Sequence, residues 1–396
     1  MLKQLVIVDP EGLRCDLYET AECLGLFPCI VTHEENRPHL PNDANIIPCE
    51  SPDTAFLKGV VRQRQVSGVW TPDPEYRGMV HDVAASMRFP HWGTPPDQSF
   101  LKVMKEDSIV ADLIHPQHFV STMEAAEEAV REIHIPAYLQ SMQSSGYPRR
   151  MEVDNIADVP LAFKKITAKQ EKPHVSVAKL PQAEVYWVPG YKIGRDFKPI
   201  EVIAVEFSHT RFRVPVRYLA PAELSGADYT AVVDVAKQVG LHLPHGVAAI
   251  TLELIYTDVG PRVMGIRAEY DFEPALKKLL NRGYGLNLDH DVLRLFAGLQ
   301  PESTPCWEMA AAVQWFQPGS GVVTGVDGVD TALAVKAIRE IHLRVKPGDY
   351  IGHIEDTRER DRIGYMISQA SSTETALDAL QIAMGCVGIN TKPTLD

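Results

Sequence analysis

The chain has 396 residues, 45% of them hydrophobic, enough to bury several cores and to predict about two to four domains. Its 39 Lys and Arg against 52 Asp and Glu leave a net charge of −13 with no basic stripe. That excludes a nucleic-acid backbone as partner, because such affinity comes from clustered cations. No apolar run reaches about 18 residues, which excludes a helical membrane span, and the sequence enters a strand straight after Met1 without a charged-then-apolar leader. A soluble cytoplasmic protein is expected.

In chain order, the first strand is predicted over Leu2 to Asp9, followed by an amphipathic helix from Gly12 to Leu26 and a strand from Cys29 to Thr32, a βαβ opening. Asn45 to Ile47, a helix from Asp53 to Gln65, Gly68 to Thr71 and a helix from Tyr76 to Met87 continue the alternation. A parallel, Rossmann-like layer to about Pro95 follows. It lacks GxGxxG, and Pro10-Glu11-Gly12 puts an acid where a dinucleotide phosphate would sit, so this layer is not expected to bind a nucleotide. From Phe100 to about Thr167 the pattern gives a helix, the strand Phe119 to Thr122, a helix from Glu124 to Ile133, two strands around a small-residue loop, and a helix from Ile156 to Ile166.

The richest stretch runs from Gly240 to Pro274. Glu253 lies inside the apolar run Ala248 to Tyr256, where a charge is costly unless a metal, a cation or hydrogen bonds compensate it. Thr257 to Pro261 are turn formers and Arg262 to Ile266 returns as an apolar strand, so the segment reads as a hairpin. Upstream lie Glu206 to Tyr218 and a helix from about Tyr229 to Val239; downstream lies the helical stretch Leu293 to Pro301. Trp307 to Phe316 then alternates as an edge or sandwich strand. Pro318 to Gly321 is a turn, and Val335 to Arg339 a short helix. Asp349 to Gly352, Ile363 to Ala370 and a helix from Ser372 to Cys386 complete a β-rich end. There is no internal repeat and no low-complexity segment.

The order of these pieces, and above all the hairpin with Glu-Leu followed by Thr-Asp-x-Gly-Pro, resembles the ATP-grasp superfamily, most closely carboxylate–amine ligases of the L-amino-acid (dipeptide) ligase type. The resemblance implies an α/β fold with α+β lobes: a Rossmann-like pre-ATP-grasp domain at 1–97, a small lobe at 98–170, a large lobe at 171–305 and a C-terminal β-rich lobe at 306–396. It implies ATP and Mg²⁺ as cofactors, because phosphate oxygens need a hard cation to neutralise developing charge. Glu253 takes the place of the first metal ligand, Arg267 that of an acyl-phosphate stabiliser and Lys102 that of an early Lys near the phosphates. As a lone Lys on an amphipathic helix, Lys102 has an equally simple structural reading. Glu184 begins the strand that holds adenine in the family.

Four positions depart from the pattern. Gln140 replaces a phosphate-binding Lys, Gly265 the second acidic metal ligand, and Glu269 an Arg, while Lys192 stands where a Glu holds ribose. The small-residue loop keeps Ser144, Ser145 and Gly146, followed by Arg149 and Arg150, which read either as phosphate contacts or as two arginines on a solvated loop. Two functions follow: an ATP-dependent ligase for a small amino acid or carboxylate working through an acyl phosphate, or a catalytically inactive homologue that binds a small molecule or a partner subunit. A homodimer is expected, with the apolar alternation at Ala310 to Phe316 as its interface. The six cysteines, at 15, 23, 29, 49, 306 and 386, show no CxxC and read as reduced core residues, with Cys23, Cys29 and Cys386 in apolar surroundings. His242 and His245, flanking a Pro before the hairpin, read as solvated loop residues rather than a metal pair.

Overall fold

A computed structural model describes residues 3–12, 14, 16–91, 99–106, 109–142, 149–168, 173–180, 183–269, 272–302 and 304–393. The N-terminal sheet is parallel, in the order Ile46–Pro48, Leu26–Thr32, Lys3–Val8, Gly68–Trp70. Leu5 to Val8 are fully buried, the continuous apolar run that a strand covered on both faces requires. The first helix spans only Leu17–Cys23 rather than Gly12 to Leu26. Gly12 and Gly25 both adopt positive φ, which a helix interior does not permit, and Leu26 already belongs to the next strand.

The second sheet is antiparallel, in the order Gln117–Val120, Val175–Lys179, Ala137–Ser141, Arg150–Val153. Helices Met123–Ile133 and Val159–Thr167 cover it through Ala126, Val130, Val159 and Ile166, which pack on Leu139, Val153 and Val177. This small lobe has its own core.

The third sheet has nine strands and carries the hairpin at one end. Gly260–Glu269 pairs with Gly246–Thr257, then come Val185–Gly194, Ile203–Phe207, Pro215–Ala220, Ala310–Trp315, Gly364–Ala370 and Ile338–Leu343, with Asp196–Pro199 pairing off Val185–Gly194. Ala310–Trp315 therefore lies inside the sheet, hydrogen-bonded on both sides, and is not an edge strand. Its side chains are buried, with helices Pro274–Tyr284 and Thr373–Cys386 against it, so its alternation serves this chain's own core and leaves no apolar face for a second copy. Residues 335–339 also differ from expectation: the short helix is Val329–Leu333, and Ile338 starts a strand that pairs with Gly364–Ala370. A small sheet of Tyr350–Ile351, Gly321–Asp327 and Gly388–Lys392 completes the C-terminal end. Among the described residues no helix is long and apolar enough to cross a membrane.

Candidate functional site between the lobes

The register of the hairpin sets Glu253 opposite Gly265 on one side and Trp187 on the other. Glu253 is 3% exposed, and its neutraliser comes from the small lobe: Arg150 donates from Nη1 to Oε1 at 2.7 Å and from Nη2 to Oε2 at 3.0 Å, a two-pronged pair. Arg150 is itself buried, the first residue of its strand, so the solvated-loop reading is corrected for this residue. Its Nε also donates to Oε1 of Gln140 at 2.9 Å, and its guanidinium lies over the rings of Tyr138 (4.9 Å) and Phe207 (5.4 Å). The Glu253 partner is thus Arg150, not the neighbouring Arg262 or Arg267.

Burial alone would raise the Glu253 carboxyl above its ordinary value, but the charge and hydrogen bonds of Arg150, with Arg267 and Arg213 beyond, outweigh it and hold the group low. Burial likewise works against the Arg150 charge, and Glu253 more than restores it. Tyr138, buried beside the pair, is pushed up to about 12 by its desolvation. Its hydroxyl and the Trp187 Nε1 are buried and have no hydrogen-bond partner among the described residues.

Arg267 stacks over Trp187 at 4.2 Å and approaches Glu273 at 3.8 Å. Glu273 belongs to a second buried cluster, in which it accepts from Tyr218 Oη at 3.0 Å and from Nη2 of Arg360, whose Nη1 donates to the Pro215 carbonyl at 2.7 Å. Arg360 is fully buried over Trp315, at 3.7 Å from the ring. No sequence signal marked it, because it sits in the charged run Thr357–Asp361, whose pattern is that of a solvated helix. Arg267 of the hairpin thus approaches Glu273 at the start of helix Pro274–Tyr284, which pairs in turn with Arg360 of helix Thr357–Asp361.

The remaining expected site residues are placed as follows. Lys102 lies on the helix Ser99–Glu106 and Glu269 ends the hairpin. Ser144, Ser145 and Gly146 fall outside the described residues. Glu184 is exposed and accepts from Tyr186 Oη at 2.6 Å. Lys192 is fully buried: its Nζ donates to the carbonyls of Arg195 (2.7 Å), Gly240 (2.8 Å) and Leu241 (3.4 Å), closing the end of helix Gly226–His242. Burial lowers its pKa to about 8. His245 accepts from Arg195 and His242 contacts the Gln238 carbonyl. Cys29 is buried as expected, whereas Cys23 is exposed and Cys386 half-buried; Cys15 falls outside the described residues. Cys23 turns outward because it closes a seven-residue helix rather than the middle of a longer one.

A metal fits this arrangement poorly. Both Glu253 oxygens are taken by a guanidinium, Gly265 supplies no second carboxylate, and among the described residues no three His, Cys, Asp or Glu side chains gather to hold an ion.

The lobes also meet through backbone and surface charge. Glu152 N donates to the Arg211 carbonyl (2.7 Å) and Arg213 N to the Arg150 carbonyl (3.1 Å), so residues 211–213 extend the small-lobe sheet. Arg149 lies 3.5 Å from both Glu355 and Asp356, and Lys165 3.1 Å from Glu355.

This architecture, a hairpin-bearing antiparallel sheet facing a smaller antiparallel lobe behind a parallel N-terminal layer, is the ATP-grasp fold. Across 99% of both chains it is similar to L-amino acid ligase from Bacillus licheniformis, with a TM-score of 0.76 at 16% identity. It is also similar to N5-carboxyaminoimidazole synthase from Aspergillus clavatus, solved with ADP and 5-aminoimidazole ribonucleotide, with a TM-score of 0.68 at 13% identity over 97% of this chain and 98% of that one. Residues 314–392 match the family described as L-amino acid ligase C-terminal domain 2. The chain thus has the ATP-grasp fold, and its residues 314–392 are similar to the L-amino acid ligase C-terminal domain. An uncharacterized protein of Sinorhizobium fredii, y4rH, is 27% identical over 177 residues, which is 44% of this chain and 36% of that relative, so the match spans little more than a third of the relative's length.

Proposed function

We propose that the protein takes a small amino acid or carboxylate into the cleft between the four-stranded lobe and the nine-stranded sheet, and that its scaffold serves ATP-dependent carboxylate–amine ligation through an acyl phosphate. The observation that carries this reading is the likeness to an L-amino acid ligase along the whole chain, joined to the family match at the C-terminal end. The cleft chemistry agrees with it. Arg150, Arg213 and Arg267 line one small closed space with Glu355 and Asp356, and guanidinium forks suit carboxylate and phosphate oxygens. That space holds about 10 Å³, less than a ligand needs, so entry requires the lobes to part. Beside it, sharing Glu355, a cavity of about 440 Å³ between Phe212, Val216, Pro318 and Ile354 has room for a substrate side chain.

The Arg150–Glu253 pair favours a second reading, a homologue that binds its small molecule without turnover, because phosphoryl transfer depends on cations that neutralise phosphate charge and this carboxylate, engaged by Arg150, is not free to hold a metal. Calorimetric titration with ATP and an amino-acid panel, followed by an assay for ADP, separates the two. ADP release that depends on an amino acid supports ligation; amino-acid binding with no ADP supports the second reading. Neither binding nor turnover would remove both.

A further inference from the structure

Three residues around Glu253 are fitted to one another. The carboxylate receives both prongs of Arg150, and Gln140 offers that same guanidinium an acceptor oxygen. A Lys at 140 would set an ammonium against the guanidinium instead. Gly265 stands opposite, and a Cβ built there would lie 3.0 Å from Oε2 and 3.3 Å from Cβ of Glu253, closer than ordinary contact. A side chain at 265 would therefore make the carboxylate give way by a few tenths of an ångström. Two of the four departures from the ligase pattern, Gln140 and Gly265, thus serve one arrangement.

We propose that the Arg150 guanidinium is a resident cation that takes the place of a divalent metal at Glu253, so that the cleft receives its oxyanion ligand, nucleotide phosphate or carboxylate, with no metal on this carboxylate. The inference rests on the cleft being the ligand site and says which charge meets the ligand there. A second cation beside Arg150 would be repelled by a fixed positive charge and would find both carboxylate oxygens engaged.

The test uses Mn²⁺ alone, by electron paramagnetic resonance and calorimetry, on the full chain. Wild type is expected to show no saturable Mn²⁺ binding that Glu253→Gln removes, whereas Arg150→Met, which frees the carboxylate, should tighten Mn²⁺ binding by about tenfold or more. Saturable Mn²⁺ binding in the wild type that disappears in Glu253→Gln would overturn the proposal. Should Arg150→Met not fold, the comparison of wild type with Glu253→Gln still decides. A parallel melt with ATP, in Mg²⁺ and in EDTA, should give the same shift in both. A shift seen only with Mg²⁺ and lost in Glu253→Gln counts against the resident cation, and absence of any ATP shift bears on the ligase reading while the Mn²⁺ result stands.

Discussion

Asp361 accepts from Trp315 Nε1 at 2.8 Å and from Arg360 Nε at 2.9 Å, in a setting where burial pushes its carboxyl from 3.8 up to about 6 against the pull of Arg360. A carboxyl raised on folding keeps its proton in the folded chain between those two values while the unfolded chain has lost it. Stability therefore falls as pH rises through this window and levels above about 6, by an amount on the order of 2–3 kcal/mol. Glu253 has the opposite sign: its depressed value adds stability above its ordinary 4.5, lost as pH falls further. Asp361→Asn keeps a carbonyl for Trp315 and should shrink the difference in melting temperature between pH 5 and pH 7; an unchanged difference would contradict the assignment. At this scale the sequence showed which positions were unusual but not what they did. Gln140 and Gly265 stood out as departures, while Arg150 read equally well as solvent-exposed because its partner is 103 positions away.

Lys192 illustrates the same limit for an element. The helix Gly226–His242 ends in carbonyls that lack intrahelical partners, and a buried ammonium from the strand Val185–Gly194 reaches three of the carbonyls around that end. Lys192→Met preserves the stem but takes the ammonium from those oxygens, Gly240 O keeping the Leu243 N–H at 3.3 Å, so a loss of about 1–3 kcal/mol is expected by chemical denaturation. A change within experimental scatter would show that the cap contributes nothing. The hairpin, the helix now seen as Thr54–Arg64 and the alternation of the N-terminal layer were legible because apolar periodicity and turn residues agree there. Periodicity leaves the strand Ala310–Trp315 open between an edge and a sandwich position, because it reports which face is buried, not whether a neighbour lies on each side.

For the whole molecule, the surface pairs of Arg149 and Lys165 with Glu355 and Asp356 join the small lobe to the C-terminal end. These pairs are partly solvated, so their combined contribution to global stability is expected to stay below about 1.5 kcal/mol. Their effect on opening is local. Replacing Arg149 and Lys165 together by Ala should speed amide hydrogen exchange in the strand Arg150–Val153 while leaving Gly246–Thr257 as slow as before, measured by mass spectrometry. Equal acceleration in both would mean that the pairs do not govern lobe opening.

The placement of Ala310–Trp315 between Pro215–Ala220 and Gly364–Ala370 also sets the order in which the chain can fold. During synthesis the hairpin side of the large sheet emerges long before the strands that cover its far edge, and the hydrogen-bonding row of Pro215–Ala220 stays open until they arrive. Closing that edge brings together segments distant in sequence, a high-contact-order step that is intrinsically slow. The interval in which a nascent chain offers an unpaired edge to its neighbours is therefore fixed by topology, and lasts until Ala310–Trp315 and then Gly364–Ala370 have been made.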